Sequence, residues 1–477
     1  MNDERFTENS YEQALIELFK QMGYEYEYGP DIERNYREPV DKEELRKCLC
    51  SINAISLATL NNNEFDDVIN EAVRKITSIN EGTLEQRNEQ FTDYLQNGVE
   101  VSFTISGRTE TVLVKLIDYK DPYKNSFKIV NQYSVEEYGK IRCDMVAFIN
   151  GLPLVVIELK SPSRDETNEE DAYKQIKQYQ QKCPSLFVYN AFSVISDMLT
   201  TKAGTITSSE NRFMEWKSVN GDYHDTVIAD YQTFFKGIFN KNRFADIIEN
   251  YICFDHKAGK AAKVMGAYHQ YFAVNKAFSS VHDAATPYDG RGGVFWHTQG
   301  SGKSFSMIFL VHKLLLSAPG ITIIVVTDRN DLDQQLFEQF SGCSKFLRQI
   351  PQQVGYELNE NGKKTTAKDG GRADLIAKLK GLQTGGIIFT TIQKFEEGTG
   401  LLSDRDDIVV ITDEAHRSQY GDEHWDEKSQ TMKKGYALLL HEALPNAVFV
   451  GFTGTPIDSR DRSTVAVFGD YIDIYMI

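Results

Sequence analysis

The chain has 477 residues, too many for a single hydrophobic core, so two or three domains are expected. Its 41% hydrophobic and 25% charged residues are ordinary for a soluble globular protein. The net charge of −17 weighs against a uniformly basic nucleic-acid binder, although a local basic channel can sit within an acidic surface.

No run reaches the roughly 18 unbroken apolar residues that span a bilayer. The start, Met1-Asn2-Asp3-Glu4-Arg5, is polar and acidic, unlike a secretion signal. A cytoplasmic protein is expected. The six cysteines, Cys48, Cys50, Cys143, Cys183, Cys253 and Cys343, are scattered, and the close pair is spaced too tightly for the usual zinc pattern. All six read as reduced and structural.

Tyr11 to Met22 places Ala14, Leu15, Leu18 and Phe19 on one side of an amphipathic helix that Gly23 stops. Residues 35–100 are highly charged with helical spacing (Leu45, Leu49, Ile52; Phe65, Val68, Ile69, Val73, Ile76), and strand-like runs follow at Val99 to Ser106, Thr111 to Ile117 and Phe127 to Gln132. Next comes Arg142-Cys-Asp144, running through Asn150-Gly151 to Glu158-Leu-Lys160. Two β-rich runs flank Asn150-Gly151, a strong hairpin signal. Residues two apart on a strand share a face, so Glu158 and Lys160 point the same way. A strict two-residue turn would put Asp144 opposite Ile157, on the wrong face. A three-residue loop ending in a left-handed Gly151, or a bulge with the same effect, brings Asp144 to the face of Glu158, and this second register is expected.

Three charges converging in an apolar hairpin need a reason, because burying them unpaired costs several kcal/mol. Asp144 and Glu158 can share a divalent metal through hard oxygens, and Lys160 can orient or activate an attacking water, the requirements of phosphodiester hydrolysis. A plain salt bridge at a strand end is the structural alternative. Asp144, thirteen residues, then Glu158-Leu159-Lys160 resembles the core of the PD-(D/E)XK nuclease family, without the proline before the aspartate. Gln175 and Tyr179, four apart on one helical face, resemble the Gln-x-x-x-Tyr helix of family members fused to helicase-type motors. That resemblance implies support of the site and DNA contact. It also implies that Glu12, on the first helix, completes the metal site.

Phe187 to Ser196 reads as another strand. Residues 200–211 turn polar, and 212–252, with Trp216, Tyr231, Phe234, Phe235 and Phe239, read as a linker subdomain. The motor region begins near Phe254. The stretch Gly293-Val-Phe-Trp-His-Thr298-Gln299-Gly300-Ser301-Gly302-Lys303-Ser304, followed by the apolar Phe305 to Leu315, reads as strand, loop and buried helix. Backbone N–H groups of such a loop face phosphate oxygens, a lysine pairs with the β/γ-phosphates, and a serine hydroxyl ligates Mg²⁺. His297 stands where the common pattern has its first glycine. A glycine-rich turn capped by serine is the bland alternative, and the acidic pair downstream argues against it.

Ile321 to Val326, Gly386 to Thr391, Ile408 to Ile411 and Ala447 to Phe452 are β-rich runs separated by helical or polar stretches, the pattern of a parallel sheet with ligand-binding loops at its C-terminal edge. After the third run come Asp413 and Glu414: one carboxylate to hold Mg²⁺ with the serine hydroxyl, its neighbour to polarise water. Asp413-Glu-Ala-His416 resembles motif II of superfamily 2 helicases, and Thr453-Gly454-Thr455 resembles motif III. Thr327-Asp328-Arg329 and Thr391-Ile-Gln393-Lys394 resemble the motifs that grip a DNA strand. Tyr268-His269-Gln270-Tyr271 resembles the glutamine motif that reads adenine, for which an amide that both donates and accepts is suited. The resemblance implies that His416 relays nucleotide state to motif III.

Taken together, the chain resembles the restriction subunit of Type I restriction-modification enzymes, the words Asn150 to Lys160, Tyr268 to Val274, Trp296 to Ser304 and His416 to Gly421 lying close to that family's spellings. The resemblance implies an α/β fold: a PD-(D/E)XK endonuclease domain over 1–190 (mixed sheet with flanking helices), a linker subdomain over 191–253, and a RecA-like motor domain over 254–477. It implies ATP and Mg²⁺ as cofactors, double-stranded DNA as substrate, and methyltransferase and specificity subunits as partners. With no second motor domain after Ile477, a fragment that hydrolyses ATP slowly is expected. A repair or recombination helicase whose nuclease-like domain only grips DNA is the alternative reading, and a nucleotide-gated scaffold is a third.

Overall fold

The strand Leu152–Leu159 is buried at every position, as expected for a run in which Leu, Val and Ile fill all places but Pro153 and Glu158, and it lies at the centre of a seven-stranded sheet. The computed structural model describes residues 8–105, 108–160, 169–222, 231–257, 259–285, 289–328, 330–358, 364–366, 371–382, 384–395, 400–415, 424–426, 431–433, 436–454 and 467–476. The chain divides into two units, one of Met1–Phe254 with Ala261–Tyr268, the other of Asp255–Lys260 with His269–Ile477.

In the first unit the strand order is Glu25–Tyr28, Phe127–Glu136, Lys140–Ile149, Leu152–Leu159, Phe192–Ser196, Thr201–Gly204, Met214–Glu215. The sheet is mixed: Glu25–Tyr28 runs parallel to Phe127–Glu136 and Leu152–Leu159 parallel to Phe192–Ser196, while the other neighbours are antiparallel. The expected first helix is Glu8–Gln21, with Tyr11, Leu15 and Phe19 fully buried. Charged helices follow at Lys42–Asn53, Asn62–Thr77 and Leu84–Asn97, the last two opened by capping boxes, and then an antiparallel ribbon, Val99–Ile105 with Arg108–Val114.

Two readings are corrected. Phe187 and Val188 lie in a short helix, Pro184–Val188, and the strand begins only at Phe192. Pro184 seeds that helix with its fixed φ, and the buried Asn88 amide donates to the carbonyls of Phe187, Val188 and Asn190, turning the chain before the strand. Residues 191–253 do not form a body of their own. They supply three strands to the sheet of the first unit, and their aromatics join its core. Phe235 and Phe239 stand 5.7 and 5.2 Å from Phe19, Phe239 stands 6.0 Å from Phe192, and Phe244 stands 5.8 Å from Phe192. Burying rings of this size stabilises the unit by about 1.5–3 kcal/mol each.

Lys263, 3% exposed, donates from Nζ to Asn88 Oδ1 and to Asn190 O, both at 2.8 Å. Burial pulls its ammonium down to about 7 from the ordinary 10.5. A depressed lysine binds fewer protons folded than unfolded, so the cost of burying the charge is fully present below about pH 7 and fades as pH rises towards the unfolded value. Denaturant unfolding is therefore expected to give the first unit more stability at pH 9 than at pH 7, and Lys263→Met is expected to flatten that slope. An unchanged slope in the variant would refute the assignment.

In the second unit every pairing of the main sheet is parallel, in the order Gln352–Gln353, Ile387–Thr391, Thr322–Thr327, Ile408–Thr412, Val448–Thr453, Arg291–His297, Tyr471–Tyr475. The four expected strands of the motor region are present and fully buried, and the edge strand Tyr471–Tyr475 is an addition. All six cysteines are free. Among the described residues no helix is long and apolar enough to cross a membrane.

Candidate active sites

The hairpin at Asn150-Gly151 settles the register. Both residues are left-handed (φ 54° and 78°), as a two-residue turn requires, and the pairing starts strictly with Ile149 against Leu152 and Phe148 against Pro153. Then it slips. Ala147 faces Val155, Val146 faces Val156 and Met145 faces Ile157, leaving Leu154 as the extra residue of a bulge. Pro153 has no N–H for the ladder, so the ladder tolerates an interruption there. One step further, Asp144 comes level with Glu158 on the same face. The expected three-residue loop is absent, and the bulge produces the same convergence.

Glu158 is fully buried. Its Oε1 takes the Lys160 ammonium at 2.7 Å, while Oε2 is buried without a hydrogen-bond partner. Burial, and then the neighbouring Asp144 carboxylate, push the Glu158 carboxyl well above its usual range, against the pull of Lys160. Asp144 Oδ2 accepts the backbone N–H of Leu159 at 2.8 Å, which ties the two strands together at the site. Lys160 Nζ also donates to Gln175 Oε1 at 2.8 Å. Gln175 Nε2 donates to Tyr179 Oη at 2.6 Å, and Tyr179 Oη donates to the Arg142 carbonyl at 2.9 Å. This relay starts on the strand of Glu158, crosses the helix Glu169–Lys182 and ends two residues before Asp144.

The two facing carboxylates, one with an orphaned buried oxygen, fit a hard divalent ion such as Mg²⁺. Glu12 does not join them: among the described residues no group of three or more His, Cys, Asp or Glu side chains is assembled for a metal. Instead Glu12, 7% exposed, accepts Asn131 Nδ2 at 2.6 Å and Gln132 Nε2 at 3.2 and 3.1 Å. Gln132 is left-handed (φ 54°) and falls where the pairing passes from Asn131 against Met145 to Tyr133 against Cys143, level with Asp144. Strain of this kind gathers at working sites. Nothing local in the sequence marks Gln132.

In the second unit the strand Arg291–His297 delivers the loop to the helix Lys303–Ser317. Gly300 (φ 90°) and Gly302 (φ 82°) are left-handed, and a Cβ at Gly302 would stand 2.8 Å from Gln270 Nε2. Lys303 Nζ donates to the carbonyls of His297 at 3.1 Å and Thr298 at 3.4 Å. Burial lowers its ammonium, opposed by Asp413 and Glu414. Thr298, Ser304, Asp413 and Glu414 are half-buried, Gln299 exposed and Ser301 buried. Asp413 anchors through its N–H to the Val326 carbonyl at 2.9 Å, and Glu414 is held left-handed (φ 55°).

Gln270 Nε2, expected from the sequence to read adenine, donates to the Gly302 carbonyl at 2.9 Å and so braces the loop ahead of the helix. Gly454 adjoins the lysine: a Cβ there would stand 2.9 Å from Lys303 Nζ. Thr453 is buried at the end of its strand. Gln393 Nε2 donates to the Asp328 carbonyl at 2.6 Å, joining the loops after two adjacent strands. Lys394 is half-buried beside them. Arg329, His416 and Thr455 lie outside the described residues.

Comparison with known proteins bears on both units. The family model described as Type I restriction enzyme R protein N terminus matches residues 5–212, and that of the SWI2/SNF2 ATPase matches residues 269–477. The chain is 37% identical over 494 residues to the Type I restriction enzyme HindI endonuclease subunit of Haemophilus influenzae, covering 98% of this chain and 44% of that protein. It is 34% identical over 516 residues to the MjaIXP endonuclease subunit of Methanocaldococcus jannaschii, covering 100% of this chain and 44% of that protein. A Staphylococcus aureus Type I restriction enzyme endonuclease subunit is 30% identical over 382 residues, 77% of this chain and 36% of that protein. The chain thus spans less than half the length of these relatives.

Proposed function

This chain belongs to the family of Type I restriction enzyme endonuclease (R) subunits, and from that premise we propose that it couples ATP-driven translocation along double-stranded DNA to Mg²⁺-dependent cleavage of both strands. It acts in the cytoplasm as motor and nuclease of a complex with methyltransferase and specificity subunits. The observation that carries the reading is the buried, half-unsatisfied Glu158 set against Asp144 and Lys160.

In the nuclease site Asp144 and Glu158 would hold the ion. Mg²⁺ there would neutralise charge building on the scissile phosphate and sharpen a bound water as nucleophile. Lys160 orients that water or takes the developing charge. Its Nζ has a defined position because Glu158 and Gln175 both accept from it, and Tyr179 holds Gln175. In the motor site the loop Thr298 to Gly302 offers its N–H groups, Lys303 meets the β/γ-phosphates, and Ser304 with Asp413 provides oxygens for the nucleotide's Mg²⁺. Glu414 polarises the attacking water. Asp328, Arg329, Gln393 and Lys394 line the DNA track, Gln270 and His416 respond to the nucleotide, and Thr453, Gly454 and Thr455 couple nucleotide state to DNA. The contact of Gly454 with Lys303 supports this last role.

The test is reconstitution. The full-length chain with its methyltransferase and specificity subunits is expected to linearise circular unmethylated DNA when ATP and Mg²⁺ are both present. Omitting either should stop the breaks. Strand separation of a forked duplex without breaks would instead support the helicase reading, in which the nuclease fold only grips DNA.

A further inference from the structure

The phosphate loop is tied from behind to a strand that carries none of the helicase motifs. His297, fully buried at the last position of the strand entering the loop, places Nε2 at 2.8 Å from Asp473 Oδ2. Asp473 is 4% exposed and lies on Tyr471–Tyr475, where its Oδ1 accepts Lys276 Nζ at 2.6 Å. Burial works against the Asp473 carboxylate, but its bonds to His297 and Lys276 hold it below the ordinary range. A carboxylate only accepts, so the proton of His297 sits on Nε2. The same strand reaches the loop twice more. Tyr475 O accepts the Thr298 N–H at 3.1 Å. The Tyr475 ring lies flat on His269, with centroids 4.1 Å apart and planes 3° apart, and His269 Nε2 bonds the Ser301 carbonyl at 3.1 Å.

The lysine that should meet phosphate rests on this braced segment, since Lys303 Nζ donates to the His297 and Thr298 carbonyls. A triphosphate must draw Nζ away from them while the loop keeps its shape. If His297 swung with the lysine, the N–H groups of the loop would lose their common aim.

We propose that Asp473 is a positioning residue of the nucleotide site: through His297 it fixes the entry of the phosphate loop, so that Lys303 moves to the phosphates over a stationary backbone. Asp473 itself touches no nucleotide. Lys276 offsets its buried charge and keeps the carboxylate turned to the histidine. The inference rests on the proposed reading of Lys303 and its loop as the ATP site, and extends it to a residue 170 positions away in sequence.

The experiment is a titration of this chain with a fluorescent ATP analogue and Mg²⁺, paired with the KM and kcat of ATP turnover in the reconstituted complex. Asp473→Ala is expected to weaken analogue binding about tenfold and to raise KM more than it lowers kcat, the usual cost of loosening a supporting group. Asp473→Asn, whose Oδ1 still accepts the His297 proton, is expected to recover most of that loss. Wild-type affinity in Asp473→Ala, or equal losses in the Ala and Asn variants, would overturn the proposal. Should Asp473→Ala not fold, His297→Phe removes the donor from the other side and is expected to lose the same about tenfold; wild-type affinity there is equally fatal. Lys303→Ala separates the two levels of argument. If it binds the analogue like the wild type, the ATP-site reading itself fails. If it alone loses binding, only the role of Asp473 is wrong.

Discussion

Lys303→Ala in the full-length enzyme is expected to abolish ATP turnover and DNA cutting together, each by about 10²-fold or more, the scale seen when a preorganised charge is removed from a transition state. The effect is electrostatic. Lys303 Nζ is half-buried, stands against Gly454, and faces the field of Asp413 and Glu414. A methyl group cannot neutralise a phosphate oxygen, and water admitted in its place does so poorly at low effective dielectric constant. On the proposed coupling of cleavage to translocation, cutting should fail too. Colorimetric phosphate release and linearisation of circular DNA check the two halves. ATP turnover surviving in the variant would remove Lys303 from the nucleotide site.

The second large effect separates the activities. Asp144→Ala and Lys160→Ala are each expected to reduce cleavage by about 10³-fold while ATP turnover stays within about twofold of wild type. Asp144→Ala takes one of two facing carboxylates from the proposed metal site and releases the Leu159 N–H. Lys160→Ala leaves Glu158 buried without its cation, and since the carboxyl is already pushed upward, it should take up a proton and stop ligating. Raising pH ought therefore to rescue Lys160→Ala in part, and to do nothing for Asp144→Ala. Intact cleavage in Asp144→Ala would withdraw the nuclease assignment.

How far the sequence led depends on how local each signal was. The placement of the loop between Arg291–His297 and Lys303–Ser317, of the acidic pair after Ile408–Thr412 and of the parallel strands was legible because each is a short word lying beside its buried run in the chain. The face of Asp144 was legible only as a choice, since a turn of two residues and a bulge at Leu154 are not distinguished by hydrophobic pattern. Glu12 went astray for a related reason. Its amide partners Asn131 and Gln132 lie more than a hundred residues away, and a helix surface gives no hint of what faces it. The aromatics of 231–250 were visible, but their destination against Phe19 and Phe192 was not. The strand Tyr471–Tyr475 lies at a sheet edge with only Asp473 buried, so its pattern was weak, and the pairing of Asp473 with His297 spans 176 residues.

The bulge of the hairpin also bears on tolerance to change. Side chains at Pro153 and Leu154 carry no chemistry, and apolar exchanges there should be mild, yet the count of residues between Asp144 and Glu158 is fixed by the parity of the pleat. Losing one residue from that arm would turn Asp144 to the reverse side of the sheet with every reactive group still present. Chain length is thus the heritable constraint at this spot, and sequence drift there can be silent where a single-codon deletion is lethal to cutting.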